Sequence, residues 1–439
     1  MPADTLSRIR ARGHIGIRLG LDRMRALLAR LGDPQQGLHG VLIGGTNGKG
    51  SVAAMVASAL RAAGYSTGQS PSPHLHSYRE RVTIDGRPIE RDDLEALLAE
   101  VLAASQPGEE EFGPATEFEL LTAAAYLWSA RRGVEVMVME VGLGGRLDAS
   151  NAWDADVAAI TNVGLDHQEY LGHTIASIAA EKAAIIRPGA HAVTGAEGEA
   201  LTVIAAQAQR QGASLDVRAP LRVRSMALDG LRLDAPRLGP LNVPLLGRHQ
   251  ASNAAVALGT LDALAAADVA RAPAEAIRAG FGAVRWPGRL EPLAHQGLTL
   301  IVDGAHNPDG MAVLAATLDE LAPVLPAGRA TLLLGVMRDK EVDQMLDALM
   351  GSTLLRRSRC LATSVPETER ALAAVELAER WSGLAGSPAD PIEDVDAALD
   401  RALELAAEQG GPLVIAGSLY LVGHLRARLV PGTPTDDDA

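Results

Sequence analysis

The sequence has a single cysteine, Cys360, so no disulfide bond can form within one chain. A lack of disulfides fits a reducing compartment, and we expect a cytoplasmic protein. No partner residue is evident beside Cys360, which favours a small buried thiol over a catalytic nucleophile. Aromatic residues make up only 3% of the chain. The hydrophobic cores must therefore be built from alanine, leucine, valine and isoleucine.

Long apolar stretches and an excess of positive charge are missing as well. No run of 18 apolar residues is present, and residues 1–20 lack the apolar core and cleavage site of a signal peptide. We therefore expect no membrane span. The net charge is −14, from 40 Lys and Arg against 54 Asp and Glu. This balance argues against a nucleic-acid or anionic-membrane surface, whereas small anionic substrates would need a local basic pocket.

Two motifs that would place the chain in other enzyme classes are absent. There is no Gly-x-Ser-x-Gly segment of the kind that presents a hydrolase nucleophile. A switch GTPase would need an Asn-Lys-x-Asp segment to recognise its base, and the sequence has no Asn-Lys pair. The absence of a nucleophile motif suits a reaction without a covalent enzyme intermediate. Such a reaction needs positioning and charge neutralisation but no nucleophile from the protein.

Short apolar runs alternate with helical segments along most of the chain. A short apolar run that is followed by glycine-rich or polar residues and then by a helix is typical of a buried parallel strand. Helices on both faces of such a sheet make an α/β fold. The runs are Val41–Ile43, Val134–Met139, Val157–Ile160, Leu298–Val302, Ala330–Leu334 and Leu413–Ala416.

The segment after the first run has the composition of a phosphate-binding loop. Small residues let backbone amides close around phosphate oxygens, and the helix N-terminus favours negative charge. Lys49 adds a mobile positive charge, although Gly50 separates it from Ser51, which departs from the usual spacing. A tight structural turn is the alternative. The strand–lysine–helix context favours nucleotide binding by Thr46, Asn47, Gly48, Lys49, Gly50 and Ser51.

Polar side chains follow several other predicted strands. Glu140 ends one run, Asp166 and His167 follow the next, and Asp303 and His306 lie in the segment DGAHNPDG. Ligands of an open parallel sheet bind at the carboxyl ends of its strands, so we expect these side chains to meet. A carboxylate there can bind Mg²⁺, which prefers oxygen ligands. Taken singly, Glu140 could be a helix cap or an ion-pair member, and His167 could be a hydrogen-bonded loop histidine, but their shared placement favours a site.

Two further cations are candidates for the same site. Lys182 lies in AEKAAIIRPG, and by composition alone it is a solvated lysine on a helix. Arg289 lies in a turn at 286–293 that contains two prolines and a glycine, which we interpret as a domain boundary. An arginine there could reach the γ-phosphate when the domains close. Otherwise it would form an ordinary surface ion pair, which contributes little to stability.

We predict an α/β protein with two domains and a short tail. The length of 439 residues allows two or three domains. The N-terminal ATP-binding domain, with a P-loop-type parallel sheet, would span residues 1–290 and contain a small β insert at 216–245. A smaller Rossmann-like domain would span 291–430. The acidic tail at 431–439 is expected to be disordered.

Taken in order, the motifs resemble the folylpolyglutamate synthase/dihydrofolate synthase branch of the Mur ligase superfamily. They extend from about Leu19 to Leu429 and include GGTNGKGS, SPSPHLHSYRERVTIDGRPI, ATEFELLTAAAY, EVGLGGRLDASN, ITNVGLDHQEYLG, EKAAIIRPG, WPGRLE, VDGAHNPDG and AGSLYLVG. The resemblance implies an ATP- and Mg²⁺-dependent ligase that adds L-glutamate to dihydropteroate and to reduced folates. It also implies that the protein is a monomer.

The resemblance implies roles for individual residues. Ser72, Glu140 and His167 correspond to Mg²⁺ ligands, and Lys182 corresponds to a lysine that is carbamylated and helps to hold a second Mg²⁺. Because CO₂ adds only to a neutral amine, the site would have to favour uncharged Lys182. His306 corresponds to a histidine near the reacting phosphate and the incoming glutamate. The ATP-contacting positions match Asn253, Arg289 and Asp303, and the pterin-binding positions match Thr116, Glu117, Phe118, Glu119, Leu147, Asp148 and Ala149.

Other functions stay open at this point. The GGRLDASN loop favours a bifunctional enzyme over a monofunctional folylpolyglutamate synthase. A cell-wall Mur ligase would usually carry a tyrosine-containing version of DGAHNP and a downstream Asp-Asn-Pro-Arg, and neither is present. A non-catalytic ATP-binding protein would leave Glu140, His167, Asp303 and His306 unexplained.

Overall fold

The computed structural model describes residues 4–366 and 368–436. The chain forms two α/β units, each with its own large sheet, and the strands of a small antiparallel sheet lie in sequence between those of the two large sheets. The first sheet consists of β1 (Gly40–Gly44), β2 (Thr67–Ser70), β3 (Thr83–Ile84), β4 (Arg87–Pro88), β5 (Val136–Glu140), β6 (Val157–Ile160), β7 (His191–Thr194) and β8 (Ser214–Val217).

The strand order of this first sheet is β4-β3-β2-β5-β1-β6-β7-β8. Pairing is parallel from β2 to β8, and only the edge strands β3 and β4 pair antiparallel. The helices around it are α1 (Thr5–Arg10), α2 (Asp22–Arg30), α3 (Lys49–Ala62), α4 (Arg91–Ser105), α5 (Glu109–Phe112), α6 (Glu117–Arg131), α7 (Gln168–Leu171), α8 (Ile175–Ala183), α9 (Gly198–Arg210), α10 (His249–Ala266) and α11 (Ala274–Ala283).

Both faces of the first sheet are buried, as the continuous apolar runs predict. Successive side chains of a strand point to opposite faces. In β1, Leu42 belongs to a core cluster that includes residues of α4 and α6. Val41 and Ile43 belong to the opposite cluster, which includes residues of α3 and α10. A strand covered on both sides needs apolar residues at every position, so alternation is lost.

The small sheet is antiparallel, with the order β11-β10-β9. Its strands are β9 (Arg222–Ala227), β10 (Gly230–Ala235) and β11 (Gly239–Val243). It begins later than the predicted insert at 216–245, because Asp216 and Val217 pair with β7 as part of edge strand β8. A half-exposed edge strand has the same mixed polar pattern as a strand of a small insert, so the sequence pattern could not separate them.

The second large sheet has the order β12-β13-β17-β14-β15-β16 and is parallel except for edge strand β12. Its strands are β12 (Glu291–His295), β13 (Leu298–Asp303), β14 (Arg329–Leu334), β15 (Arg359–Ala362), β16 (Asp390–Pro391) and β17 (Gly410–Ala416). The helices packed on it are α12 (Pro308–Leu321), α13 (Val342–Met350), α14 (Thr353–Arg356), α15 (Ala374–Ala385), α16 (Val395–Gln409) and α17 (Leu419–Leu429). The predicted α/β fold with two successive sheets is confirmed.

Three further features complete the description of the fold. Cys360 is a buried thiol on β15, and burial raises the pKa of that thiol. None of the helices among the described residues is long and apolar enough to cross a bilayer. Short 3-10 helices cover Ala11–Ile15, Pro34–Gly37, Tyr78–Arg81, Gln106–Gly108, Ala149–Ala152 and Ala322–Val324.

The tail differs from the predicted disorder where it is described. The Asp436 carboxylate accepts hydrogen bonds from Ser77 Oγ (2.6 Å) and from the Tyr78 N–H (3.1 Å), and it pairs with Arg10 (2.7 Å). An acidic side chain that meets a hydroxyl, an amide and a guanidinium is anchored to the first unit. Residues 437–439 lie outside the described residues, so for them disorder stays a prediction.

Candidate active site

A cavity of about 430 Å³ lies between the two α/β units. The carboxyl ends of β1, β5 and β6 form one wall, and the carboxyl end of β13 forms the other. Every residue predicted for catalysis, nucleotide binding or metal binding lines this cavity. These residues are Thr46, Asn47, Gly48, Lys49, Gly50, Ser51, Ser72, Glu140, His167, Lys182, Asn253, Arg289, Asp303 and His306.

The loop between β1 and α3 has the tight geometry of a phosphate cradle. Gly48 adopts a φ of 83°, and a Cβ there would lie 2.3 Å from Oδ1 of Asn253. A Cβ at Gly50 would lie 2.4 Å from the ring of Trp286. Larger residues are therefore excluded, and the loop leads directly into the N-terminus of α3, which begins at Lys49. Exposed amides at a helix N-terminus attract anions.

Two buried lysines converge on this loop. Lys49 Nζ donates to the carbonyl oxygens of Gly45 and Thr46, both at 3.0 Å. Lys182 Nζ donates to the same Gly45 oxygen at 2.9 Å. Burial lowers the pKa of both amines, and with the nearby charge of Lys49 it lowers the pKa of Lys182 to about 7. The interpretation of Lys182 as a solvated helical lysine is therefore wrong, since the side chain is only 4% exposed.

Glu140 and His167 line the part of the cavity opposite the lysines, which we call the acidic wall. Glu140, at the end of β5, is buried, which raises the pKa of its carboxyl, while the charge of Lys49 acts in the opposite direction. Its Oε2 accepts a hydrogen bond from the Ser72 N–H at 3.2 Å. His167 follows β6, and burial lowers the pKa of its imidazole. Among the described residues there is no group of three or more His, Cys, Asp or Glu that could hold a metal ion by itself.

The second unit supplies two buried groups of opposite charge, Asp303 and Arg289, and a neutral histidine. The Asp303 carboxylate accepts from the N–H groups of Leu290 (2.7 Å) and Ala305 (2.9 Å), and its charge opposes the lowering of the Arg289 pKa by burial. Nδ1 of His306 lies 2.8 Å from the Gly304 oxygen, and a carbonyl can only accept, so Nδ1 carries the proton. Burial lowers the pKa of His306 to about 4, which leaves Nε2 unprotonated at neutral pH.

Contacts across the cavity involve residues that the sequence analysis did not assign to the site. Lys340 Nζ lies 3.5 Å from an Asp166 oxygen and therefore joins the second unit to the first. Lys340 follows the buried strand β14. A polar residue after a buried strand is the same signal that identified Asp303, so this signal could have identified Lys340 as well. Gln250 Nε2 lies 3.3 Å from Ser51 Oγ, and its Oε1 accepts from Asn253 at 2.9 Å. The i, i+3 spacing of these two on α10 could have indicated Gln250.

The chain has three lysines against 37 arginines, and all three lie at this cavity or its rim. Arginine retains its charge in almost any environment, whereas a buried lysine can lose its proton. The side chains that can lose a proton in this way, the three lysine ammonium groups, all lie in one region of the molecule. The three lysines are Lys49, Lys182 and Lys340.

The predicted pterin-binding segments do not line the cavity but lie behind its wall. Thr116 caps α6 through a reciprocal hydrogen-bond pair with Glu119. Phe118 packs so close to cavity residue Gly142 that a Cβ on that glycine would lie 2.6 Å from the ring. The Asp148 carboxylate accepts from the Leu143 N–H at 2.7 Å. The two segments, residues 116–119 and 147–149, thus support one side of the cavity.

Three residues from the first 80 positions of the chain contact these two segments. Arg23 forms an ion pair with Glu119 at 2.9 Å, and both side chains are largely buried. The Gly20 N–H donates to the Leu147 oxygen at 3.3 Å. Tyr78 OH donates to Glu117 at 2.8 Å. These neighbours could not be identified from the sequence, because the paired residues lie 39 to 127 positions apart and no local pattern joins residues at such separations.

Two protein-family models and several known proteins match this chain. Residues 98–261 match the Mur ligase middle domain, and residues 288–419 match the Mur ligase, glutamate ligase domain. The dihydrofolate synthase/folylpolyglutamate synthase of Bacillus subtilis is 32% identical over 97% of this chain and 98% of its own length. A probable bifunctional folylpolyglutamate synthase/dihydropteroate synthase of Haloferax volcanii is 37% identical over 96% of this chain, which spans 50% of that longer protein.

Solved structures give the same result. The folylpolyglutamate synthase of Mycobacterium tuberculosis, complexed with ADP and AMPPCP, has a TM-score of 0.87 and 35% identity, covering 99% of this chain and 100% of that one. A bifunctional folylpolyglutamate synthase/dihydrofolate synthase with Mn, AMPPNP and L-glutamate bound has a TM-score of 0.80 and 30% identity, covering 98% of each chain. The chain therefore belongs to the Mur ligase family, within the group of dihydrofolate synthases and folylpolyglutamate synthases.

Proposed function

We propose that this ligase adds L-glutamate to dihydropteroate, giving dihydrofolate, and to reduced folates, giving γ-linked polyglutamates. ATP transfers its γ-phosphoryl group to the substrate carboxylate and leaves as ADP. The amine of glutamate then attacks the acyl phosphate, which releases phosphate and one proton as the amide bond forms. The observation that carries this proposal is one cavity with the phosphate loop on one wall and Arg289, Asp303 and His306 on the other.

The first unit binds the nucleotide phosphates. Amide groups of residues 48–51 surround the phosphates at the N-terminus of α3, and Lys49 neutralises their charge. Lys49 is held by two loop carbonyls, so its ammonium has only to turn towards the phosphate oxygens. Arg289 reaches the γ-phosphate from the second unit, and the nearby charge of Asp303 favours its charged guanidinium. Preorganised charges of this kind stabilise the transferring phosphoryl group.

The acidic wall fits Mg²⁺. A cation beside Glu140 would offset the cost of burying its carboxylate, and Ser72 lies close enough to donate an N–H to that carboxylate. Ser72, Glu140 and His167 would hold the ion, with phosphate oxygens and waters completing a coordination shell that the protein side chains leave open. Bound there, Mg²⁺ would supply positive charge to the β- and γ-phosphates. A related structure holds Mn with AMPPNP and L-glutamate.

We also propose that Lys182 is carbamylated and helps to hold a second Mg²⁺. Addition of CO₂ to the neutral amine forms an N–C bond and releases one proton, and the pKa of about 7 makes that amine available. The carbamate anion would lie beside Lys49, which would turn a repulsion between two ammonium groups into an attraction. Nε2 of His306 is free to accept a hydrogen bond from the incoming amine of glutamate.

The pterin part of the substrate is proposed to bind against the segments 116–119 and 147–149, next to Gly142 and Phe118. A monofunctional folylpolyglutamate synthase is the alternative. An assay of glutamate incorporation that depends on ATP and Mg²⁺, with dihydropteroate and tetrahydrofolate in parallel, separates the two. Incorporation into both acceptors supports the bifunctional enzyme, and incorporation into tetrahydrofolate alone supports the alternative. Incorporation into neither would overturn the proposal. A cytoplasmic location and a monomeric state stay predictions.

A further inference from the structure

Asn307 is the N-cap of α12 and lies at the interface of the two units. Its Oδ1 accepts a hydrogen bond from the Gly310 N–H at 2.8 Å, which caps the helix. This bond defines the amide orientation, so Nδ2 points away from the helix. Nδ2 donates to Asn47 Oδ1 at 3.2 Å and to Asp166 Oδ2 at 3.1 Å. The side chain is 4% exposed, and all of its donors and its acceptor are used.

Both acceptors belong to the first unit and lie in loops that line the cavity. Asn47 is part of the phosphate loop, where its own N–H donates to Asn162 at 2.9 Å. Asp166 directly precedes His167, and its Oδ1 accepts from the His167 N–H at 2.9 Å. One amide group of the second unit therefore contacts the loop proposed to bind phosphate and the loop proposed to hold metal.

Charge reinforces this contact. Lys340 of the second unit lies 3.5 Å from Asp166 Oδ1, and both side chains are largely buried. Asp166 thus receives a hydrogen bond and an ion pair from the same partner unit, through its two different oxygens. A carboxylate satisfied in this way is matched to one relative position of the units, since buried charge left without partners is costly.

We propose that Asn307 and Asp166 form an interdomain latch, which positions His306 and Arg289 over the phosphate loop. Asn307 immediately follows His306, so docking of its amide determines where that histidine lies. The latch acts through position alone, and neither residue needs to touch a reacting atom. The inference rests on the proposed function, because the effect of the latch is read in the ligation reaction.

A charge exchange tests the latch. Asn307→Asp keeps the cap on α12 but turns a donor into a second carboxylate facing Asp166. We expect kcat to fall by about 10- to 100-fold, the scale at which small misplacements slow catalysis. The double variant Asp166→Asn/Asn307→Asp restores one donor, one acceptor and the original net charge. It is expected to recover at least about tenfold of the loss, which a purely structural role of either residue would not produce.

The control is Asp394→Asn, which makes the same substitution as Asp166→Asn, but at the N-cap of α16, away from the cavity. It should leave kcat and KM unchanged. Hydrogen exchange of residues 44–51 reports the docking independently of turnover: faster in Asn307→Asp, restored in the double variant, unchanged in Asp394→Asn. Parent-like kcat and exchange in Asn307→Asp, or a double variant no better than the worse single variant, would overturn the latch. If the parent does not ligate glutamate at all, the proposed function fails, while the exchange data still decide the latch.

Discussion

Lys49 and Lys182 donate hydrogen bonds to one acceptor, the carbonyl oxygen of Gly45, at 3.0 and 2.9 Å. Two ammonium groups so close to each other and shielded from water cannot both be charged without cost. Burial, reinforced by the nearby charge of Lys49, lowers the pKa of Lys182 to about 7. The phosphate loop therefore lies beside an amine that is poised to lose its proton.

A carbamate should form on Lys182 alone. We expect ¹³C NMR of the protein under ¹³CO₂ to show one carbamate resonance, and Lys182→Ala to lack it. Assignment is direct, because the chain has only two other lysines. Lys182→Ala should also lose ligase activity, and short carboxylic acids should restore part of it by supplying a carboxylate. Parent-like activity in Lys182→Ala would show that the carbamate is not needed.

Carbamate occupancy should depend on pH in a defined direction. The neutral amine is the reactive form, and the folded-state pKa of Lys182 is about 7 against an ordinary value of 10.5. At constant dissolved CO₂, occupancy should therefore be low below about pH 6 and rise through pH 7 to 8. The intensity of the carbamate resonance measures this directly. A rise that begins only above about pH 9 would mean that burial does not lower the pKa.

Lys49→Ala should abolish turnover while the fold is retained. The variant removes the cation that neutralises the nucleotide phosphates. An arginine of the chain would not replace it, because a guanidinium group does not fit between the two loop carbonyls that hold the Lys49 ammonium. Lys49→Arg is the matched variant, and we expect it to be almost as inactive because its planar group is too large for the same position. Steady-state kinetics and circular dichroism check activity and folding. Full activity of Lys49→Ala would contradict the phosphate-loop assignment.

Arg289→Ala should lower kcat more than nucleotide affinity. Arg289 belongs to the second unit and reaches the γ-phosphate as charge develops in transfer, so about 10²- to 10³-fold in kcat is expected. Nucleotide affinity, measured by calorimetry, should change much less because the first unit holds the remaining phosphates. The control is Arg278→Ala, at an exposed position on α11. An unchanged kcat in Arg289→Ala would remove this residue from the mechanism.

Arg23→Ala should destabilise the protein and weaken pterin binding. It leaves the Glu119 carboxylate, at 4% side-chain exposure, without its cation. Removing one partner of a buried pair costs roughly 3 kcal/mol in the free energy of unfolding. Urea denaturation measures this loss, and Arg23→Ala/Glu119→Gln should recover part of it. KM for dihydropteroate should rise in Arg23→Ala, whereas Arg25→Ala, at an exposed position on the same helix, should match the parent.

The fold was largely predictable, because the signals that determine it are local. Six apolar runs became strands, and the helix that follows the phosphate loop was expected from its composition. Errors arose where two structures share one local pattern. Edge strand β8 has the sequence pattern of an insert strand. The acidic end of the chain has the composition of a disordered tail, although Asp436 accepts hydrogen bonds from Ser77 and Tyr78. Partners more than 100 residues apart leave no trace in such patterns.

The sequence by itself determined which residues could take part in the chemistry. Glycines before Lys49, a carboxylate at the end of the run that leads to Glu140, and the segment DGAHNPDG all follow from the rule that parallel strands present polar residues at one edge. Only the tertiary structure determined their burial, their contacts and their position relative to the cavity. It buried Lys182 beside Lys49, it joined Asn307 to Asp166 across the interface, and it placed residues 116–119 behind the cavity wall. The physical reason is that pKa, charge balance and access depend on neighbours in space, and the folding of distant segments against one another selects those neighbours.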